Sequence, residues 1–169
     1  PPGAGVGVPL FNGRDLLGWE PVGGAVPRVE EGAIVLRDGA EIQRRVAAAD
    51  FDLRGAVRLI RGAPVNVGCI VFRRQGHLRG GTGVLFHADG DVHLFSGSER
   101  PAKSGPGAAP MDRWLAFVLR VTGESVTLDV DGKTVLRGTV PRAAAGNLAL
   151  YTIDTGAAMA FKDLRLSER

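Results

Sequence analysis

Cysteine, tyrosine, methionine and lysine are all scarce in this chain of 169 residues. The single cysteine, Cys69, excludes an internal disulfide. It leaves two readings open: a nucleophile, or a small buried hydrophobe in a strand, which is where free cysteines usually sit. Aromatic residues make up 6% of the chain, too few to interleave with basic runs as single-stranded nucleic-acid binders require. Lysine occurs only at Lys103, Lys133 and Lys162. The remaining positive charge is arginine scattered among Asp and Glu, so the formal net charge of +3 reads as a solvated surface and not as a nucleic-acid stripe. No apolar run reaches the roughly 20 residues of a membrane-crossing helix. Helical periodicity is nearly absent: Val46–Asp50 and Pro141–Ala145 have room for one turn each, too short to carry an apolar face.

What the chain has instead is turn residues and alternation. Its 25 Gly and 10 Pro suit an all-β domain of many short strands, and the length suits one domain with a sizeable core. In Phe51–Ile60, Phe51, Leu53, Val57 and Leu59 share one face, with Asp52, Arg54 and Arg58 on the other. Leu115, Phe117, Leu119 and Val121 form a second apolar face, expected to pack across the core from the first. Val126–Val130 and Lys133–Leu136 flank Asp131-Gly132 as a hairpin. Val67–Phe72 is apolar on both faces, as in a strand central to a sandwich. Shorter strands are expected at Ala33–Leu36, Glu41–Val46, Val84–His87, Val92–Phe95, Leu148–Thr152 and Ala158–Leu166. Pro1–Pro9 reads as the remnant of a linker from a longer protein, with the domain spanning residues 10–169. The Gly/Pro/Ser-rich segment Ser96–Pro110 reads as a long irregular loop.

The opening phrase Leu10-Phe11-Asn12-Gly13-Arg14-Asp15-Leu16-Leu17-Gly18-Trp19 resembles the start of the bacterial 3-keto-disaccharide hydrolase-like domains. These share the concanavalin A/laminin-G jelly roll. Further phrases resemble the same family in order: Val29–Val35, Asp50–Arg54, Asn66–Arg73, Arg113-Trp114 with the later Asp131-Gly132-Lys133, Gly146–Leu150 and Phe161–Leu166. The resemblance implies an antiparallel β-sandwich. It also implies a strand reading Gly-Tyr-Glu-x-Gln, which would place a carboxylate and an amide on the concave sheet. Here the matching stretch is Gly81-Thr82-Gly83-Val84-Leu85, and both polar groups are missing.

Glycoside hydrolysis ordinarily needs two positioned carboxylates. The acids Glu30, Glu31, Asp89, Asp91 and Asp131 fall where turns are expected, where Asp and Glu act mostly as turn residues. Histidine is the better candidate. For the hairpin Val84–Phe95, a two-residue loop at Asp89-Gly90 opposes His87 to Val92, and mixes polar with apolar residues on both faces. A three-residue loop at Asp89–Asp91 opposes His87 to His93 and Leu85 to Phe95, and gathers an apolar face on the other side. Burial sets register, so the second pairing is expected. It leaves Leu85, His87, His93 and Phe95 together on a groove suited to sugar contacts, with two imidazoles too few to complete a metal site. Asn66, Arg73 and Arg74 are further candidates to border it, Arg for its bidentate grip on acidic groups. His77 falls in a loop. Trp19 and Trp114 are read as core residues, with sugar stacking as the alternative.

The sequence therefore predicts a non-catalytic, carbohydrate-associated or protein-interaction module, needing neither metal nor cofactor, within a larger bacterial protein of the cell envelope or exterior. The alternatives are a glycoside or 3-keto-glycoside hydrolase using the same groove, and a purely structural domain.

Overall fold

The computed structural model describes residues 7–62, 64–76 and 81–169; His77 lies outside these. Among the described residues there is no helix, including at the two single turns considered above. There are fifteen strands: β1 (Val8–Pro9), β2 (Glu20–Val22), β3 (Arg28–Glu30), β4 (Ala33–Arg37), β5 (Glu41–Arg45), β6 (Phe51–Arg61), β7 (Asn66–Arg74), β8 (Thr82–His87), β9 (Val92–Ser96), β10 (Glu99–Lys103), β11 (Trp114–Thr122), β12 (Ser125–Val130), β13 (Lys133–Thr139), β14 (Asn147–Thr152) and β15 (Ala158–Glu168). They form two antiparallel sheets of a concanavalin-like jelly roll. One runs β13-β12-β11-β6-β15-β4-β3 with β1 also on β15; the other runs β10-β9-β8-β7-β14-β5-β2.

The apolar positions of alternate residues meet between the sheets. Leu53, Val57 and Leu59 of β6, Leu115, Phe117 and Leu119 of β11, Ile70 and Phe72 of β7, and Val84 and Phe86 of β8 are all buried in one cluster. The apolar faces of β6 and β11 lie beside each other in the same sheet, Leu53 opposite Leu119 and Val57 opposite Leu115, not across the core. Gly55 opposes Phe117, and a Cβ there would meet Leu164 Cδ2 at 2.8 Å. The gap in the apolar alternation of β6 is therefore filled by β15. That strand bulges between Lys162 and Arg165, where Asp163 has φ 56°. The bulge moves the buried set from Met159 and Phe161 to Leu164 and Leu166.

Two boundaries differ from the sequence reading. Val8 and Pro9, read as linker, pair with Leu166 and Arg165, so the sheet begins before Leu10. Ser96–Pro110 is not wholly irregular: β10 adds to the edge of β9. Pro101 is tolerated there because the ladder shifts register between Glu99 and Ala102, and an edge strand needs no donor on its open side. The rest of the segment is strapped to the β8–β9 hairpin. Gly107 N donates to Asp89 O (2.9 Å), Ala109 N to Gly90 O (2.8 Å), and Ala109 is buried.

Candidate functional site

Strand register builds an ordered array on the outer face of the seven-stranded sheet. One row runs Glu41, Tyr151, Cys69, Leu85, His93, Lys103 across β5-β14-β7-β8-β9-β10. The next runs Glu20, Gln43, Ala149, Val71, Gly83, Phe95. A third sets Asn147 between Arg45 and Arg74. Cys69, Val71, Leu85, Phe95 and Ala149 form an apolar floor separate from the main core. The array is thus apolar in the middle, with different polar groups at its two ends.

At the β5–β14 end, Arg74 and Glu41 form an ion pair whose side chains are each 2% exposed. Such burial is tolerated only because the charges are paired. Asn147 Nδ2 donates to Gln43 Oε1 (3.3 Å), and Gln43 Nε2 donates to Glu20 Oε2 (3.2 Å). This relay orients both amides. Beside it opens a polar cavity of about 370 Å³ lined by Arg45, Arg74, Gln75 and Asn147 among others. Gln75 is itself held, donating to Arg73 O (3.3 Å) and Ala145 O (3.0 Å).

The histidine end is set by the β8–β9 hairpin. Leu85 opposes His93 and Phe86 opposes Val92, while His87 N donates to Asp91 O (2.9 Å). The loop is therefore Ala88-Asp89-Gly90, one residue earlier than the expected three-residue loop and one residue longer, at its start, than the two-residue alternative. Gly90 takes the last loop position with φ 82°, the left-handed conformation that three-residue hairpin loops place there. The parity matches that of the expected three-residue loop, so His87 and His93 do share a face. They meet diagonally, ring centroids 4.1 Å apart. His93 Nε2 donates to Asp91 Oδ2 (2.9 Å), and Asp91 Oδ1 accepts from Ser104 Oγ (3.0 Å) and Gly105 N (2.7 Å). Burial would raise the Asp91 carboxyl, but these three donors outweigh it and lower it to about 2. Burial, reinforced by the neighbouring His93, pushes the His87 imidazole below the ordinary histidine range.

Neither nucleophile on the face is activated. Burial pushes the Cys69 thiol up to about 12 and also raises the Tyr151 hydroxyl with which it hydrogen-bonds. A thiol so raised is not a thiolate at neutral pH. Among the described residues no group of three or more His, Cys, Asp or Glu is placed to hold a metal ion.

Of the residues singled out in the sequence, Leu85, His87, His93 and Phe95 are brought together, Phe95 beneath the guanidinium of Arg100 (5.5 Å). Asn66 opposes His87 at the start of β7. Arg73 does not border this face. With φ 52° it breaks the alternation of β7, pairs with Asp50 (2.8 Å), and donates to Ala49 O and Gly123 O (both 2.8 Å). Its neighbour Arg74 reaches the face instead. Trp19 is a core residue, its Nε1 donating to Leu10 O (2.7 Å). Trp114 is only half buried, on the outer face of the other sheet with Lys162 Nζ 4.4 Å from its ring centre. Sequence reasoning missed Glu20, Glu41, Gln43 and Asn147. The available signal was the polar–apolar alternation Glu41-Ile42-Gln43, which puts two polar groups on the side opposite a core isoleucine.

The molecule is similar in shape to several solved structures. The carbohydrate-binding module CBM66 from Bacillus subtilis matches with a TM-score of 0.69 and 17% identity over 89% of this chain and 95% of that one. A candidate glycosyl hydrolase from Parabacteroides distasonis ATCC 8503 matches with a TM-score of 0.69 and 17% identity over 95% and 92%. A Bacillus subtilis protein of unknown function with a galectin-like fold matches with a TM-score of 0.70 and 11% identity over 95% and 93%. At these identities the likeness is one of fold. No curated protein matches the chain by sequence. The family model of the 3-keto-alpha-glucoside-1,2-lyase-like domain, however, matches residues 7–167, nearly the whole of both sheets, and the chain belongs to that family.

Proposed function

We propose that this domain binds a sugar without cleaving it, in the polar cavity at the β5–β14 end of the seven-stranded sheet. The observation that carries this reading is the cavity of about 370 Å³ with Arg74 and Asn147 in its wall, both held from behind, by Glu41 and Gln43. Its volume is within the range of small-ligand sites. Arg, Asn and Gln side chains offer the mixed donors and acceptors that hydroxyl groups need, and prior fixing lowers the entropy lost on binding. The likeness to a carbohydrate-binding module and the lyase-like family both point to sugar as the ligand class. The histidine end, with His87, His93, Leu85, Phe95 and Asn66, then forms the far border of the same face.

Three features favour binding over turnover. The Glu41 carboxylate is neutralised by Arg74, Cys69 stays protonated at neutral pH, and the outward positions of β8 are Gly83, Leu85 and His87, with no carboxylate among them. A second reading rests on one observation, the His93–Asp91 pair. In a 1,2-elimination from a 3-keto-glucoside the ketone acidifies the C2 proton, and an imidazole is suited to remove it. Calorimetric titration with 3-keto-glucosides, run beside a product assay, separates the two. Binding without product, weakened about tenfold by Asn147→Ala as expected for one lost hydrogen-bonding group, is the expected result. Product formation abolished by His93→Ala overturns the non-catalytic reading.

A further inference from the structure

A second cavity, of about 440 Å³, opens at the end of the sandwich where β1, the end of β5 and the end of β15 meet. Its character differs from that of the first. Val8, Leu10, Val46, Ala47 and Leu166 contribute to its lining. The two cavities are neighbours: Arg45, Val46 and Ala47 line both. We infer that the ligand is a glycoside with an apolar aglycone. Its sugar occupies the polar cavity and its aglycone crosses the Arg45–Ala47 segment into the apolar one. This inference rests on the sugar-binding reading above.

The wall of the apolar cavity is fixed before any ligand arrives. Leu10 N donates to Leu164 O (2.8 Å), and Leu10 O accepts from both Trp19 Nε1 (2.7 Å) and Arg44 Nη1 (2.8 Å). Arg165 Nη1 holds Gly7 O (3.1 Å). These bonds hold the wall in place, and most of the surface of the hollow is apolar, with Arg44, Ser167 and Glu168 as further polar members of its lining. Val8, at its rim, is 66% exposed, one of four large hydrophobic side chains left open to solvent among the described residues. An apolar group seated there would cover Val8 and remove apolar surface from water on both partners. At the shared wall Arg45 is exposed, and no described carboxylate pairs with it. Its guanidinium therefore has donors to spare for the glycosidic region of a ligand that spans the two cavities.

Methyl and phenyl 3-keto-α-glucosides, titrated calorimetrically against the wild-type domain, test this. The phenyl glycoside is expected to bind about tenfold more tightly or better. It should also shift the methyl resonances of Val8, Val46 and Leu166, which the methyl glycoside leaves in place. Val8→Asp, at an exposed position, should bring the ratio of the two affinities close to one. Equal affinities in the wild type, or a phenyl preference without shifts at those methyls, overturns the aglycone assignment and leaves the sugar reading standing. Binding of neither glycoside overturns both.

Discussion

His87 and His93 stack with ring centroids 4.1 Å apart and planes tilted by 36°, although neither is the other's cross-strand partner: Leu85 opposes His93, and His87 N donates to Asp91 O. The contact is diagonal, within reach of large side chains on one sheet face. His93 is anchored by Asp91, whereas His87 Nε2 is buried with no hydrogen-bond partner.

That asymmetry predicts which imidazole resists charging. Burial and the proximity of His93 both lower the His87 pKa. In an NMR titration His87 should change charge below the ordinary histidine value of about 6.5. His93→Gln should move the His87 transition upward, though not fully, because burial remains. The lowered folded-state value means that His87 contributes stability above about pH 6.5, which is lost as pH falls through its folded-state pKa. A His87 transition at or above 6.5 in the wild type contradicts this.

Asp91 behaves as an acid-sensitive clasp between the hairpin and the segment after β10. Its folded-state pKa, lowered to about 2, lies below the unfolded value. The stabilisation is therefore complete above about pH 4 and lost as pH falls towards 2. Asp91→Asn is expected to lower stability at pH 6 by on the order of 1 kcal/mol or more, with the gap to wild type narrowing between pH 4 and pH 2. Denaturant melts at several pH values read this directly. A gap constant with pH removes the clasp.

Arg73 is a structural group, and its loss should be felt in the fold. It joins Asp50 to the backbone carbonyls of Ala49 and Gly123, with its own side chain 2% exposed. Asp50 also accepts from Gly123 N (3.0 Å), so the arginine ties the chain before β6 to the β11–β12 turn. Asp50 is itself 28% exposed, so its freed charge stays partly solvated; Arg73→Met should destabilise by about 1–3 kcal/mol, the range for carbonyls left without their donor. Denaturant unfolding measures it. A variant as stable as the wild type would return Arg73 to the list of candidate ligand contacts.

The fold was legible because its signal is local. Alternation in Phe51–Ile60 and Trp114–Val121, the Asp131-Gly132 turn and the ordered family phrases each require only a short window of sequence. The β8–β9 hairpin shows where legibility ends. Parity, and so the shared face of His87 and His93, followed from the apolar pattern. The register did not, because a shift of two residues leaves every side chain on its own face, and burial alone cannot distinguish the two pairings. Gly90 did distinguish them: its need for positive φ was the local evidence for a loop ending there.

The sequence by itself determined the class of fold, the apolar faces, the lack of a Glu and Gln on the strand before His87, and the family likeness. Each is written in residue types and near-neighbour spacing. The tertiary structure alone decided the site. Glu41 and Arg74 are brought into one ion pair because β5 and β7 flank β14, and Asn147 meets Gln43 for the same reason. Adjacent arginines are told apart by one backbone angle at Arg73. Strand order and a local bulge are products of packing over the whole chain, and no window of sequence contains them.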